Sequence, residues 1–250
     1  MKKPPKTILI LGATSSIAQA TARLLAREDS HFFLVGRNES KLKVIAADLE
    51  QRTQCKAETY AIELKDTSTH ADLVEIAIKS LESKIDLTLI AYGTLPDQES
   101  TQEDPEATLD SLEVNFNSPA SLLTRLAMHY QEQESGTIAV ITSVAADRGR
   151  KTLYTYCSAK AALSTFTDGL RGRLLPHKVQ VLNIKPGVVD TPMTAHLKKG
   201  LLATTPKKVA EDILKAIKKK KDVLYTPGRW WWIMFIIRHI PEKIFKKLSI

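Results

Sequence analysis

Short apolar runs rich in β-branched residues alternate along the chain with longer stretches whose apolar residues return every three or four positions. The runs are Thr7–Leu11, Phe32–Val35, Glu58–Ile62, Leu87–Ala91, Thr137–Thr142 and Gln180–Ile184, with a seventh at Asp222–Tyr225. Apolar runs of this length suit strands buried on both faces. The segments Ile17–Ala26, Lys41–Gln51, Ala71–Leu81 and Ser158–Leu175 between them carry the helical period. Such alternation predicts βαβ units, and hence an α/β fold with a doubly wound, seven-stranded parallel sheet. No internal repeat or Gly/Ser linker divides the chain. One domain is expected over residues 1–226, with residues 227–250 as a C-terminal apolar and basic helical tail.

The 250 residues, 43% hydrophobic and 26% charged, fall in the ordinary globular range, which argues against disorder. Cys55 and Cys157 stand far apart; two cysteines suit a reducing compartment and offer no metal-ligand spacing. The start, Met1 to Lys6, runs straight into the first strand with no long apolar leader, so a cytoplasmic location is expected.

Charge changes the picture more. Of the net +8, residues 199–250 carry +9 and residues 1–198 carry −1. A basic tail can serve nucleic acid. Here, however, Arg229 and Arg238 enclose eight apolar residues that begin Trp230-Trp231-Trp232, and Ile244, Phe245 and Leu248 are spaced to share a face opposite Lys243, Lys246 and Lys247. Eight residues cannot cross a bilayer, which takes about 20. The pattern suits a segment lying on an anionic membrane surface; a subunit interface or a lid over a pocket would use the same apolar run. A membrane surface is the expected partner, and nucleic acid is not.

The first strand runs into Gly12-Ala13-Thr14-Ser15-Ser16-Ile17-Ala18 and then a helix. A strand–turn–helix of small residues lets backbone N–H groups approach a pyrophosphate at the helix N-terminus. Gly12 supplies the tight turn, Ala18 allows close helix–strand packing, and Ser16 stands where a second glycine is usual. An ordinary small-residue turn reads the same way. At the end of the second strand, Arg37 takes the place of the acidic residue that would bind an adenosine ribose. A planar guanidinium there suits a 2′-phosphate, favouring NADP(H) over NAD(H), unless it is only a solvated charge. Glu63-Leu64 follows the third strand, where a carboxylate can accept from an adenine amino group or simply face water.

Ser143 ends a strand, and Tyr156 and Lys160 follow at i and i+4 on one helix face. A phenol of pKa ~10 is a poor base near neutrality, and an ammonium one turn away would lower that value. Ser143 can donate to a developing alkoxide, and Asn115 can hold a water on a proton path to Lys160. Singly, each residue has a bland reading as turn former, cap or helical pair. The combination, in this order after a phosphate-loop candidate, points to carbonyl–alcohol chemistry.

Across roughly residues 6–195 the chain resembles the short-chain dehydrogenase/reductase family. The likeness rests on the Gly12 turn, Ile90-Ala91-Tyr92-Gly93, Asn115, Ser143, Tyr156-x-x-x-Lys160 and Pro186-Gly187-Val188-Val189-Asp190-Thr191. It implies a Rossmann-type domain binding NADP(H), with Tyr156 as acid/base and Ser143 polarising the carbonyl. Lys160 would lower the tyrosine pKa and bind the nicotinamide ribose, and Asn115 would order a relay water. It further implies cofactor contacts from Gly12, Thr14, Ser15, Ser16, Ile17, Arg37, Glu63, Leu64, Ala91, Tyr92, Gly93, Pro186, Gly187, Val189 and Thr191, besides Tyr156 and Lys160. A homo-oligomer, dimer or tetramer, paired through the helix near Tyr156, is implied too. Ile90-Ala91 stands where the family usually shows two asparagines, and Glu63 where it shows an aspartate. Gly12–Ala18, Ala91–Gln98, Ser143–Arg150 and the tryptophan-rich tail resemble the branch of decaprenylphosphoryl-2-keto-ribose reductases, implying a lipid-linked keto-sugar whose phosphate Arg148, Arg150 and Lys151 would meet. Another lipophilic carbonyl, such as a steroid, retinoid or acyl chain, is the alternative substrate. A non-catalytic NADP(H) sensor or scaffold is the alternative class, for which the Ser143/Tyr156/Lys160 set has no chemical need.

Overall fold

Seven strands form one sheet in the order β3-β2-β1-β4-β5-β6-β7: β1 (Thr7–Leu11), β2 (His31–Gly36), β3 (Lys56–Ala61), β4 (Leu87–Ile90), β5 (Thr137–Ile141), β6 (Gln180–Pro186) and β7 (Val223–Thr226). The computed structural model describes residues 4–195 and 200–248. Every pairing is parallel. All seven predicted runs are therefore strands of one parallel sheet. The largest boundary differences, two residues each, are at β6, which runs on to Pro186, and at β3, which begins two residues upstream. As an edge strand of mixed polarity, half-buried along most of its length, it has no continuous apolar run to fix its limits.

The side-chain period of two divides the core. On β1, Ile8 and Ile10 join a cluster with α1 (Ser16–Leu25), α2 (Glu39–Thr53) and α8 (Pro206–Lys218). Leu9 and Leu11 join the opposite cluster, with α3 (His70–Ser80), α6 (Ser118–Gln133) and α7 (Tyr154–Leu174). Helices thus cover both faces, as parallel strands buried on both sides require. Two short helices, α4 (Gln98–Glu103) and α5 (Pro105–Leu112), follow β4, and α9 (Arg229–His239) and α10 (Glu242–Phe245) follow β7. The order reverses at β1, with β2 on one side and β4 on the other. That switch point opens a crevice at the carboxyl ends of the strands, where open α/β sheets bind ligands.

The tail is partly as expected. It is helical, but it packs back on the domain: Trp230 and Met234 of α9 form a small core with Val144. Ile244 and Phe245 do not share a face, because Phe245 is buried and Ile244 is 54% exposed. The four-residue α10 is too short to present a stripe, and Phe245 is drawn under a guanidinium described below. The first three residues, residues 196–199 and the last two of the tail lie outside the described residues.

Candidate active site

A cleft of about 1730 Å³ lies along the carboxyl edge of the sheet, above the roughly 300–1,000 Å³ of ordinary small-molecule pockets. All of the candidate catalytic and cofactor residues named from the sequence line it, from Gly12 and Thr14 through Ile17 to Thr191.

At one end, β1 turns into α1 through Gly12, whose φ is +87°. A Cβ on Gly12 would lie 2.7 Å from the Tyr92 Cβ and 2.8 Å from its backbone nitrogen, so the turn and the neighbouring β4 segment approach as closely as only glycine allows. Helix α1 starts behind Ser15, whose side chain makes no capping hydrogen bond, and its first turn holds no acidic residue. Its N-terminal N–H groups thus face the cleft without an internal acceptor, the condition for binding an anion. Arg37, at the end of β2, is 72% exposed at its side chain and pairs with Glu63 at 3.4 Å. Tyr92 is anchored by hydrogen bonds: its hydroxyl lies 2.7 Å from Ser118 Oγ, and Ser118 donates to the Leu64 carbonyl. Burial pushes the Tyr92 phenol upward, so it is a structural hydroxyl.

The middle of the cleft holds the candidate catalytic residues. Helix α7 presents Tyr156 and Lys160, and its first turn is fixed by Gln98: Thr155 N donates to Gln98 Oε1 at 3.1 Å and Gln98 Nε2 donates to Thr155 Oγ1 at 3.2 Å. Ser143 follows β5; its hydroxyl oxygen accepts from Ala145 N at 3.0 Å, and its side chain is near enough to the Tyr156 phenol to favour the ionised form. Asn115 sits in a π-helical turn, Glu113–Asn117, between α5 and α6, a local widening common at functional sites. It is fully buried. Its amide donates to the Ser111 carbonyl at 3.0 Å, and its Oδ1 accepts from Thr94 N at 3.1 Å. Gly93, with φ +155°, is what admits this arrangement, since a Cβ there would stand 2.6 Å from Asn115 Oδ1 and 3.1 Å from Lys160 Nζ.

One electrostatic expectation is corrected. The Tyr156 phenol is pushed up to about 12, first by burial; the Ser143 side chain and the Arg150 charge pull the other way. Lys160 does not lower it here. With only 4% of its surface exposed, Lys160 is itself pushed down to about 8 by burial, and its Nζ stands 5.7 Å from the Tyr156 ring centroid.

The loop basic residues part company. Arg150 and Lys151 line the cleft, but Arg148 turns away to fasten the tail. Its Nη1 donates to the carbonyls of Ile237 at 2.6 Å and Ile240 at 2.7 Å. Its Nη2 pairs with Glu242 at 2.8 Å, and its guanidinium lies 3.6 Å over the Phe245 ring. Below it, Asp147 is held by Lys185 at 2.6 Å and the Tyr225 hydroxyl at 2.7 Å. The other end of α9 places Trp230 in the cleft. The sequence pattern left membrane, interface and lid open for this run; Trp230 faces inward while Trp231, Trp232, Phe235 and Ile236 are exposed. Gln98 and Thr94 were not singled out as site residues. Their signal, a polar segment just after the β4 motif, has no meaning until the fold brings it against α7 and Asn115. Among the described residues, no group of three His, Cys, Asp or Glu is placed to hold a metal, and no helix is long and apolar enough to cross a membrane.

Comparison with known proteins agrees with this architecture. The profile of the short chain dehydrogenase family matches residues 6–201, and the chain belongs to that family. An uncharacterised oxidoreductase of Streptomyces coelicolor is 30% identical over 250 residues, covering 99% of this chain and 97% of its own length. Among solved structures, a short-chain dehydrogenase from Sphingobium yanoikuyae in complex with NADPH superposes with a TM-score of 0.81 at 20% identity, over 95% of this chain and 97% of that one. The actinorhodin polyketide ketoreductase with NADPH gives 0.79 at 20% identity, over 92% and 99%.

Proposed function

We propose that this chain reduces a carbonyl to a secondary alcohol with NADPH, on a lipid-linked keto-sugar presented at a membrane surface. The observation that carries the reaction class is the meeting of Ser143, Tyr156, Lys160 and Asn115 in one cleft with the uncapped start of α1 and with Arg37. The residues present suit the cofactor: the α1 N-terminus and Gly12 for the pyrophosphate, Arg37 for the 2′-phosphate, Glu63 for the adenine, and Pro186 to Thr191 beside Ser143 for the nicotinamide end. When bound, NADPH supplies the hydride.

The chain's own residues supply the rest. Ser143 donates a hydrogen bond to the substrate oxygen, stabilising charge as it develops. Tyr156 gives its proton to that oxygen. A phenol held at about 12 is protonated throughout the neutral range, which suits a proton donor and therefore the reductive direction. Lys160 and a water on Asn115 return the proton to the tyrosine, a step for which a lysine titrating near 8 is well matched.

The lipid carrier is supported by the tail. Its outward aromatic residues share the tail with Arg229, Arg238, Lys243, Lys246 and Lys247, while its one acid, Glu242, is paired with Arg148. Tryptophan with basic neighbours favours an anionic lipid interface. On this reading the chain works as a peripheral protein on the cytoplasmic face, as a homo-oligomer paired through α7.

NADPH oxidation against a panel of carbonyls that includes a polyprenyl-phosphate keto-pentose tests the reaction. Tyr156→Phe is expected to abolish turnover and keep NADPH binding; near-normal turnover in this variant refutes the assignment. Co-sedimentation with anionic vesicles, with and without residues 229–250, tests the docking. If both forms stay in the supernatant, the membrane reading is wrong.

A further inference from the structure

Arg150 is a half-buried cation that lines the cleft with Ser143 and Tyr156. Its charge is near enough to the Tyr156 phenol to pull it downward, so the guanidinium lies on the side of the cleft where the reacting oxygen must sit. Among the described residues nothing accepts a hydrogen bond from it. Nε is enclosed without a partner, while the two terminal nitrogens, also unpartnered, are not enclosed. A ligand in the cleft therefore meets the terminal fork and not Nε.

The chain's own acids are spent on other cations. Asp147 holds Lys185 and the Tyr225 hydroxyl, Glu242 pairs with Arg148, Glu63 with Arg37 and Asp110 with Lys65. Arg148, two residues away, shows the contrast, since its donors are used up on Ile237, Ile240 and Glu242. The loop under Arg150 is pinned at both ends, by Arg148 to the tail and by Thr155 N to Gln98. Between them the Arg150 carbonyl accepts from Leu153 N at 2.9 Å. The backbone that carries the free guanidinium is thus fixed before a ligand arrives, which lowers the cost of binding one.

We propose that Arg150 determines specificity: its terminal nitrogens pair with an anionic group, phosphate or carboxylate, that the substrate carries close to its reacting carbonyl. The cleft then selects charged ketones over neutral ones. This rests on the reading that the cleft reduces a carbonyl, and it holds whether or not a lipid carries the substrate. A guanidinium fork matches either oxyanion in a planar, two-point contact.

The test uses the full chain with NADPH and two matched pairs of ketones: dihydroxyacetone phosphate with dihydroxyacetone, and levulinate with methyl levulinate. The first pair reads phosphate and the second carboxylate. In the wild type, kcat/KM should favour the charged member of at least one pair by about 10- to 100-fold, the worth of a charge-assisted hydrogen bond. Arg150→Met keeps the unbranched stem and removes the charge. It should bring that ratio to within about threefold of unity, with the loss falling on KM because the contact holds substrate and transition state alike. Arg150→Lys, a charge without the fork, should keep part of the preference. Unchanged NADPH affinity shows that the variants are folded. A wild type without preference for the charged member of either pair, or an Arg150→Met variant that keeps the wild-type ratio, overturns the proposal while the reductase reading stands. A wild type that reduces none of the four ketones, nor any other carbonyl, overturns the reductase reading and the role of Arg150 with it.

Discussion

Replacing Arg148 with methionine removes the fastening of the tail and leaves the sheet untouched. Two of its hydrogen bonds, to Ile237 and Ile240, are short and charge-assisted; at 15% side-chain exposure each contributes about 1.5 kcal/mol. The contact with the Arg238 carbonyl is 3.5 Å and adds little. Glu242 is 75% exposed, so its ion pair adds only ~0.3 kcal/mol after solvent screening. The guanidinium on Phe245, with that ring buried, adds about 1 kcal/mol. The sum is about 4 kcal/mol, all on the docking of α9 and α10. At about 1.4 kcal/mol per tenfold, undocking should become about a thousandfold more frequent. Hydrogen–deuterium exchange of peptides covering residues 229–248 reads this directly: their protection should fall by that order while the β1, β4 and β5 peptides keep theirs. Arg148→Lys, which keeps the charge but cannot fork between two carbonyls, should fall between. Wild-type protection of the tail in Arg148→Met would show that the tail is held by its apolar contacts alone, and the reasoning fails.

Gly93→Ala forces a Cβ against Asn115 Oδ1 and Lys160 Nζ at a positive φ. Turnover should drop at least ~100-fold because a misplaced catalytic group costs on that scale, and a drop of less than threefold in kcat would count against the Asn115–Lys160 arrangement. Lys160 makes a prediction about stability and pH. Its folded value, near 8, lies below the ordinary 10.5, so between about pH 8 and 10.5 the unfolded chain binds more protons than the folded one. The contribution of this group to stability therefore rises with pH across that window and is most unfavourable below it. Lys160→Met should raise Tm by roughly 5–10 °C at pH 7, with the gain shrinking toward pH 10.5; a gain that is constant with pH would refute the burial argument.

The strands were legible because parallel strands buried on both faces leave continuous apolar runs, and β3 was displaced because an edge strand does not. Helices α4, α5, α6 and α8 were not picked out, although α5 and α8 begin with a cap followed by proline, Asp104-Pro105 and Thr205-Pro206, a readable start signal. That the candidate set meets in one cleft was readable because Tyr156 and Lys160 share one helix and Ser143 ends the strand before it. The environment of that set was not. Burial, which sets the titration of Tyr156 and Lys160, is a property of the packed cleft and not of spacing. The turn at Asn115 depends on an i→i+5 wrap between α5 and α6 that no residue pattern announces. Arg148 looked like a phosphate ligand because its partners, Ile237 to Glu242, come some ninety residues later, and only the fold shows that its donors are already taken.

Helix α9 has two unlike faces. Inward, Trp230 lines the cleft with Met234 packed behind it; outward, Trp231, Trp232, Phe235 and Ile236 stand exposed. A rigid helix of eleven residues cannot move one face without the other, so a surface that engages the outer side must bias where Trp230 sits over Gly187. Linkage makes that bias reciprocal for binding free energies. If anionic vesicles take α9 in the position Arg148 gives it, NADPH binds more tightly to the vesicle-bound chain, and the chain with NADPH binds vesicles more tightly by the same factor. If vesicles pull α9 off the domain, both affinities fall together. The sign of the vesicle effect on NADPH affinity thus separates a tail that docks the closed site from one that must leave the site to reach the lipid.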